Sequence, residues 1–421
     1  MESKPNDKKR FYVIVTVIII VIAVISATGI FLILGNNQIG QDWTLGQTIK
    51  MESRDGAVPM KFIRDSNDNI HFICFEHGAY QGLRYLKIDP NGDILLDKKD
   101  IVDTNVFNYN YQFDIVVDSE NMVHIITTGG GGNSIPLEYV KLDTNGAIII
   151  QKTLSFNYAN WSNSISMKIC ENDTINIAWA HSNENNHTSA FYYAKLDNNG
   201  SLIHSPIRIS TDMNLFDENI YDAMAIDSSA NTNIFWIANG IYWSKVNADG
   251  HLTVYNKEIL AAPLASDVRA FIGSNDKCYL TYREVIADYT TIGIAIMDMN
   301  GIIQNNKKVV DYSSSSNSNI VLSSDSTLDN NDNIHLCWDN SRSIQYMKIN
   351  NTGVPVINTT IITESSTIGS LIYVSGASIL INKSGLPVVT CTRQSGLHHP
   401  FDTDLYILKA KQSLSTNGGE P

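Results

Sequence analysis

The feature that most constrains this chain is a hairpin that returns at nearly fixed spacing. "YLKIDPNGDILL" at 85 is followed by "YVKLDTNGAIII" at 139, "YAKLDNNGSLIH" at 193, "WSKVNADGHLTV" at 243 and "YMKINNTGVPVI" at 346. The turn glycines Gly92, Gly146, Gly200, Gly250, Gly301 and Gly353 are separated by 54, 54, 50, 51 and 52 residues. A period of about 50 residues marks a repeat fold, in which each unit buries its apolar face against the next. A second anchor keeps step with the first: "DSNDNIHFIC", "DSENMVHIIT", "ENDTINIAWA", "SANTNIFWIA", "SNDKCYLTYR", "NNDNIHLCWD" and "KSGLPVVTCT", seven copies in all.

Each copy divides into four segments of strand length, rich in Ile, Val, Tyr and Phe and bounded by Asn, Asp, Ser and Gly. In the third copy these are "SISMKIC", "INIAWA", "FYYAKLD" and "SLIHSPIRIS". No segment after residue 35 carries a sustained helical period. Four strands repeated seven times predict an all-β, seven-bladed β-propeller. The seventh copy ends at "DLYILKAKQS" without a fourth strand, whereas "WTLGQTIKME" at 43–52 resembles the fourth strands of other copies. Residues 43–52 are therefore expected to complete the last blade and leave no exposed edge.

The N-terminus points to a membrane. Lys4, Lys8, Lys9 and Arg10 precede an uncharged run of 24 residues from Phe11 to Leu34. As a helix that run would extend about 36 Å, enough to cross a bilayer core, and it exceeds the apolar region of a cleaved signal peptide. The expected layout is a cytoplasmic tail at 1–10, an uncleaved transmembrane helix at 11–34, an outward-facing propeller at 35–411 and a C-terminal tail at 412–421, oriented by the positive-inside rule. Seven Asn-x-Ser/Thr acceptors, at Asn160, Asn172, Asn186, Asn199, Asn350, Asn358 and Asn382, agree with an exterior location. The formal charge of -13, with no basic run after the N-terminus, excludes a nucleic-acid partner. Five cysteines without CxxC spacing suggest neither a disulfide framework nor a zinc site. "DSNDN" and "DNNDN" lack the glycine and distal glutamate of a calcium loop and are expected to be Asx-rich turns. No metal or cofactor is expected.

The pattern D-x-x-x-N-I-H-[FIL]-x-x-W followed by Y-x-K-[LI]-D-x-N-G resembles the propeller repeats of archaeal and bacterial cell-surface proteins, loosely grouped with sialidase-like propellers. The resemblance covers residues 41 to about 411. It concerns scaffold positions, and the turns lack the leading Ser and trailing Thr-Trp of a sialidase Asp-box. His71, His124 and His335 share one repeat position, so symmetry keeps them apart and a hydrogen bond within each blade is expected. The glycines are expected to close type I turns with a left-handed residue.

In such a ring the regular turns occupy one face, while the loops joining strands two and three, and those joining successive blades, occupy the other. The second face is the variable one, and function is expected there. Arg283, Arg342 and Arg393 begin its loops in blades 5, 6 and 7 and are candidates for gripping a carboxylate. Tyr109, Tyr111, Tyr158 and Trp161 lie among asparagines on the same face and suit a sugar or an extended peptide. The resulting expectation is a binding module for a surface glycan or envelope protein. The competing expectation is an exterior glycoside hydrolase or lyase on the same frame, for which no catalytic residue is assigned.

Overall fold

In a computed structural model, the described residues are 42–411 apart from 54–59, 78–80, 104–111, 129–136, 155–163, 184–187, 215–221, 287–288, 313–320, 322, 341–342, 365–372 and 396–400. They form seven antiparallel sheets, each with a path of four consecutively hydrogen-bonded strands. The first strand of each sheet lines the axis: Met60–Arg64, Phe113–Val117, Ile165–Ile169, Asp222–Ile226, Ala265–Ile272, Ser324–Leu328 and Tyr373–Ile381. In blade 7 the outermost place is filled from the N-terminal side: Trp43–Ser53 pairs antiparallel with Phe401–Ala410, Trp43 opposite Ala410 and Ser53 opposite Phe401. Residues 11–34, the expected transmembrane helix, and the tail 412–421 lie outside the described residues. Among the described residues no helix is long and apolar enough to cross a membrane.

The core is divided among the blade junctions. Seven apolar clusters each draw on two neighbouring sheets. The junction that closes the ring joins Ile49, Leu405 and Ile407 to Phe72, Cys74 and Leu86. Trp179, Trp236 and Trp338 are buried at such junctions, and all five cysteines are free and buried. They act as small apolar side chains.

Each conserved feature of the repeat has a local physical reason. Gly146 and Gly200 adopt φ of +75° and +70°, and each donates its N–H to the aspartate carbonyl three residues earlier, at 2.9 Å. Positive φ explains glycine only in part. A Cβ on Gly200 would stand 2.4 Å from the Tyr139 ring, and one on Gly146 2.9 Å from Tyr85. The turn of each of these blades thus lies directly on the aromatic ring of the preceding one.

The first turn of each blade uses the same backbone but mostly not glycine. Asp68, Asn121, Asp173, Ala230, Asp276 and Asp332 have φ between 53° and 69°, with Gly385 at 76° in blade 7. A left-handed backbone is unfavourable for residues other than Gly, and least so for Asn and Asp. Here the acidic and amide side chains also join blades. Asp173 accepts from Ser119 N and Oγ at 2.9 and 2.6 Å, and Asp332 accepts from Ser274 N and Oγ at 2.8 Å each. Asp276 binds Ser228 in the same way, Asn121 accepts from Ser66 N, and Asp68 accepts from Lys383 N across the closure. Five of seven junctions carry this bond; those served by Ala230 and Gly385 do not. The repeated lysine adds a second tie, Lys87 to the Thr144 carbonyl at 3.2 Å and Lys195 to that of Ala248 at 3.0 Å.

Candidate functional site

The repeated polar residues are occupied inside the blades. Asp65 caps its own turn by accepting from Asn67 N and Asn69 N, each at 2.8 Å. Its second oxygen meets His71 Nε2 at 3.1 Å, and His71 Nδ1 meets the Tyr85 hydroxyl at 2.7 Å. A carboxylate only accepts, so Nε2 carries the proton and the tyrosine donates to Nδ1. The same Asp–His–Tyr series recurs as Asp118, His124 and Tyr139 and as Asp329, His335 and Tyr346. Burial drives His71 down to about 4, against the pull of Asp65, so the imidazole is neutral at physiological pH. The three histidines are buried with at most 1% exposure. They cannot meet a substrate, and their role is the expected hydrogen bond within each blade.

Unrepeated chemistry lies along the axis. A cavity of about 540 Å³ is lined by the inner strands. Strand register places Lys61, Asp114, Ser166, Ala223, Arg269, Asp325 and Ser378 at one level of it. In five blades this level is the second residue of the inner strand, toward the variable-loop face; the inner strands of blades 5 and 7 begin earlier. Two cross-blade ion pairs form there. Lys61 stands 4.0 Å from Asp114, while Arg269 stands 3.1 Å from Asp325 and 2.6 Å from Asp267. Asp114 also accepts from Met167 N at 2.7 Å, and Asp325 from Ile379 N at 3.1 Å, so each carboxylate holds the next blade's inner strand.

Lys168 is placed differently. It lies two residues further along the blade 3 inner strand and lines the cavity. Its side chain makes no ion pair or hydrogen bond among the described residues. It is exposed to the channel, yet protein closes around it on the larger scale. That enclosure lowers its pKa, and Asp114 pulls against the shift. Burial likewise pushes the Asp267 carboxyl up, against Arg269 and Arg283. A bulge between Ala265 and Asp267 turns this carboxylate at the strand's entry, a device that re-aims side chains beside functional sites.

Of the residues expected from sequence, Arg283 lies next to this cluster. Its Nε donates to Ser266 Oγ at 3.1 Å and its terminal nitrogen to the Val321 carbonyl at 2.9 Å, so it braces the bulge and its charge acts on Asp267. The backbone of Arg393 pairs with Asp404 in blade 7. Arg342, Tyr109, Tyr111, Tyr158 and Trp161 lie outside the described residues. The expected glycines Gly92, Gly146, Gly200, Gly250, Gly301 and Gly353 all occupy left-handed turns.

Sequence reasoning did not select Lys61, Asp114, Lys168, Asp267, Arg269 or Asp325. The available signal was a charge in the first strand of a copy where other copies have Ala, Ser or an aliphatic residue. The loops drew the search instead.

No protein family and no curated protein matches the sequence. The grouping with surface or sialidase-like repeats therefore rests on the quoted motifs alone. Among solved structures, the fold is similar to a polysaccharide lyase of family PL25, an ulvan lyase bound to GlcA(1-4)Rha3S, with TM-score 0.56, 10% identity, and coverage of 89% of this chain and 97% of that one. The polysaccharide lyase Uly1 matches with TM-score 0.55 at 7% identity, over 89% of this chain and 100% of its own. An α-L-arabinofuranosidase from Fusarium graminearum matches with TM-score 0.50 at 7% identity, over 87% of this chain and 98% of its own. At these identities the likeness is one of fold, and the chain is a seven-bladed β-propeller with four-stranded blades.

Proposed function

We propose that this chain is a membrane-anchored, outward-facing propeller that binds an acidic glycan at the variable-loop end of its channel. Residues 11–34 are the anchor, and the basic decapeptide before them stays in the cytoplasm. One observation carries the ligand class: Lys61 and Arg269 are held by carboxylates of the next blade, whereas Lys168 lines the same cavity and its side chain makes no ion pair or hydrogen bond among the described residues. A sugar carboxylate supplies the missing partner, and a cavity of about 540 Å³ falls in the size range of small-ligand sites. Two of the neighbours named above are polysaccharide lyases, one of them bound to a saccharide containing an acidic sugar, which supports the ligand class and not binding over turnover.

The test is calorimetric titration of the purified protein with a short polyuronate and with its neutral counterpart. Selective binding of the acidic saccharide, weakened about tenfold or more by Lys168→Ala, supports the proposal. Equal affinity for both saccharides, or an unchanged constant in the variant, overturns it.

The polysaccharide-lyase neighbours favour a second reading, a lyase on the same site. Lys168, whose pKa is lowered by the protein around it, would be its base. It would take the proton next to the uronate carboxyl while the carbon–carbon double bond forms and the glycosidic C–O bond breaks, with water protonating the departing oxygen, leaving an unsaturated uronate. Ultraviolet absorbance of that product, absent with Lys168→Ala, separates turnover from binding alone.

A further inference from the structure

The direction of the closing strand fixes which face of the ring meets the membrane. Trp43 pairs with Ala410, and the Asp42 carbonyl accepts from Lys411 N at 2.8 Å. The chain therefore enters the propeller at the end where the regular turns lie. Only eight residues, Gly35 to Asp42, separate this point from the apolar run ending at Leu34. Fully extended they reach at most about 29 Å. The strand Trp43–Ser53 has 11 residues and is about 35 Å long at 3.2 to 3.4 Å per residue. The connection is too short to pass along it and bring the variable-loop face to a bilayer.

The surface at that end combines polar turns with exposed aliphatic side chains. In five blades an aliphatic side chain is exposed one to three residues after the turn glycine, Leu95 54%, Ile149 49%, Leu202 45%, Ile302 59% and Val354 50%, and Leu45, 39% exposed, lies near the start of the closing strand. With Ile94, Ile148, Ile203 and Val356 exposed beside them, they gather at the turn-proximal ends of the outer strands, which scattered surface residues would not do. The acidic residues that open these turns are tied to their own backbone. Asp89, Asp143, Asp197 and Asp298 each accept from a backbone N–H of their own turn at 2.7 to 3.0 Å.

We infer that the regular-turn rim docks on the bilayer surface, with its aliphatic side chains at the level of the lipid headgroups and the variable-loop face turned outward. This rests on the reading of residues 11–34 as an anchor. The rim exposes aliphatic side chains and the chain carries a formal charge of -13, so the lipid it fits is zwitterionic. Aliphatic side chains at the interface stabilise docking through buried area without crossing the membrane. The consequence for the channel is directional: ligand enters from the variable-loop side, where Asp267, Arg269 and Lys61 stand.

The test uses the full chain in phosphatidylcholine nanodiscs containing a headgroup-level fluorescence quencher. All five native cysteines are buried, so single Leu95→Cys and Val285→Cys variants accept a dye selectively; Val285 is 39% exposed at the opposite end. The expected result is quenching several-fold stronger at position 95 than at 285. It should fall at least twofold when Ile149→Asp, Leu202→Asp and Ile302→Asp are added, with the melting temperature unchanged. Equal quenching at both positions, or the reverse order, in a chain that co-elutes with the discs overturns the docking and leaves the anchor intact. A chain that elutes apart from the discs defeats the anchor and the docking together. Shielding of position 95 that grows with protein concentration and does not depend on lipid assigns the rim to a second copy of the chain instead.

Discussion

The two ends of the same strands follow opposite rules. At the regular-turn end the copies agree, and nearly every shared residue has a partner in its own or the adjoining blade: Asp65 with His71, Asp173 with Ser119, Gly200 against Tyr139. At the axial, variable-loop end the equivalent position holds Lys61, Asp114, Ser166, Ala223, Arg269, Asp325 and Ser378 in turn. Repetition here marks the contacts that every junction requires, and divergence marks a surface released from that requirement. Polar side chains that recur are architectural, and a ligand is to be sought among those that occur once, although Asp114 and Asp325 also hold the next blade's inner strand.

That contrast can be broken most severely at the closure. Deleting 43–53 removes the buried side chains of Trp43 and Ile49, at roughly 1.5–3 kcal/mol per large side chain, and exposes the edge of Phe401–Ala410. The expected outcome is loss of a single cooperative melting transition, and an unchanged transition would remove closure from the description.

Next in size are the buried triads. His71→Ala leaves the Asp65 carboxylate and Tyr85 hydroxyl each short of a partner, at about 1–3 kcal/mol per group. His71→Asn, the residue type that blades 3 and 4 carry there as Asn176 and Asn233, should cost less. The pH dependence has a definite sign. His71 titrates at about 4 in the fold and near 6.5 when unfolded, so the unfolded chain binds the proton first. Stability is fully present above about pH 6.5 and is lost as pH falls toward 4, by about 3 kcal/mol for this histidine. Burial pushes Asp65 up, but hydrogen bonds from Asn69 and His71 more than offset it. Its contribution is lost at still lower pH. Thermal melts at pH 7 and pH 4.5 should show the drop, reduced in His71→Asn.

Two glycines with the same backbone separate strain from crowding. Gly200→Ala meets the Tyr139 ring, whereas Gly385→Ala, at φ +76°, finds nothing within 4 Å. Both should lose about 1–2 kcal/mol to the left-handed backbone, and Gly200→Ala a further 1–3 kcal/mol or so to overpacking. Equal chemical-denaturation midpoints would mean that the turn-on-ring contact contributes nothing. The smallest effect is a gain. Ala230→Asn restores an amide oxygen at a junction that lacks the side-chain tie and relieves a left-handed alanine. About 0.5–1.5 kcal/mol of added stability is expected.

The fold was legible in the sequence because its determinants repeat. Period, strand grammar and an N-terminal segment resembling a fourth strand each leave a pattern that one chain can display. The role of "DSNDN" was legible as a turn, but the bond from Asp68 to Lys383 was not, since its partner lies 315 residues away. The channel was hidden for a related reason. Lys61, Lys168 and Arg269 look like ordinary polar positions of short strands, and only the ring brings them to one axis. Arg283 was selected as a free cation, whereas the structure commits it to Ser266 and Val321.

The central claim, that ligand chemistry belongs to the unrepeated channel residues and architecture to the repeated ones, is tested most directly by one paired titration. Lys168→Ala and Asp173→Ala are each measured for polyuronate affinity and for melting temperature. The predicted result is a crossed pattern: Lys168→Ala loses about tenfold or more in affinity with little change in melting, and Asp173→Ala melts lower with affinity retained. Retained affinity in Lys168→Ala, together with lost affinity in a folded Asp173→Ala, would contradict it.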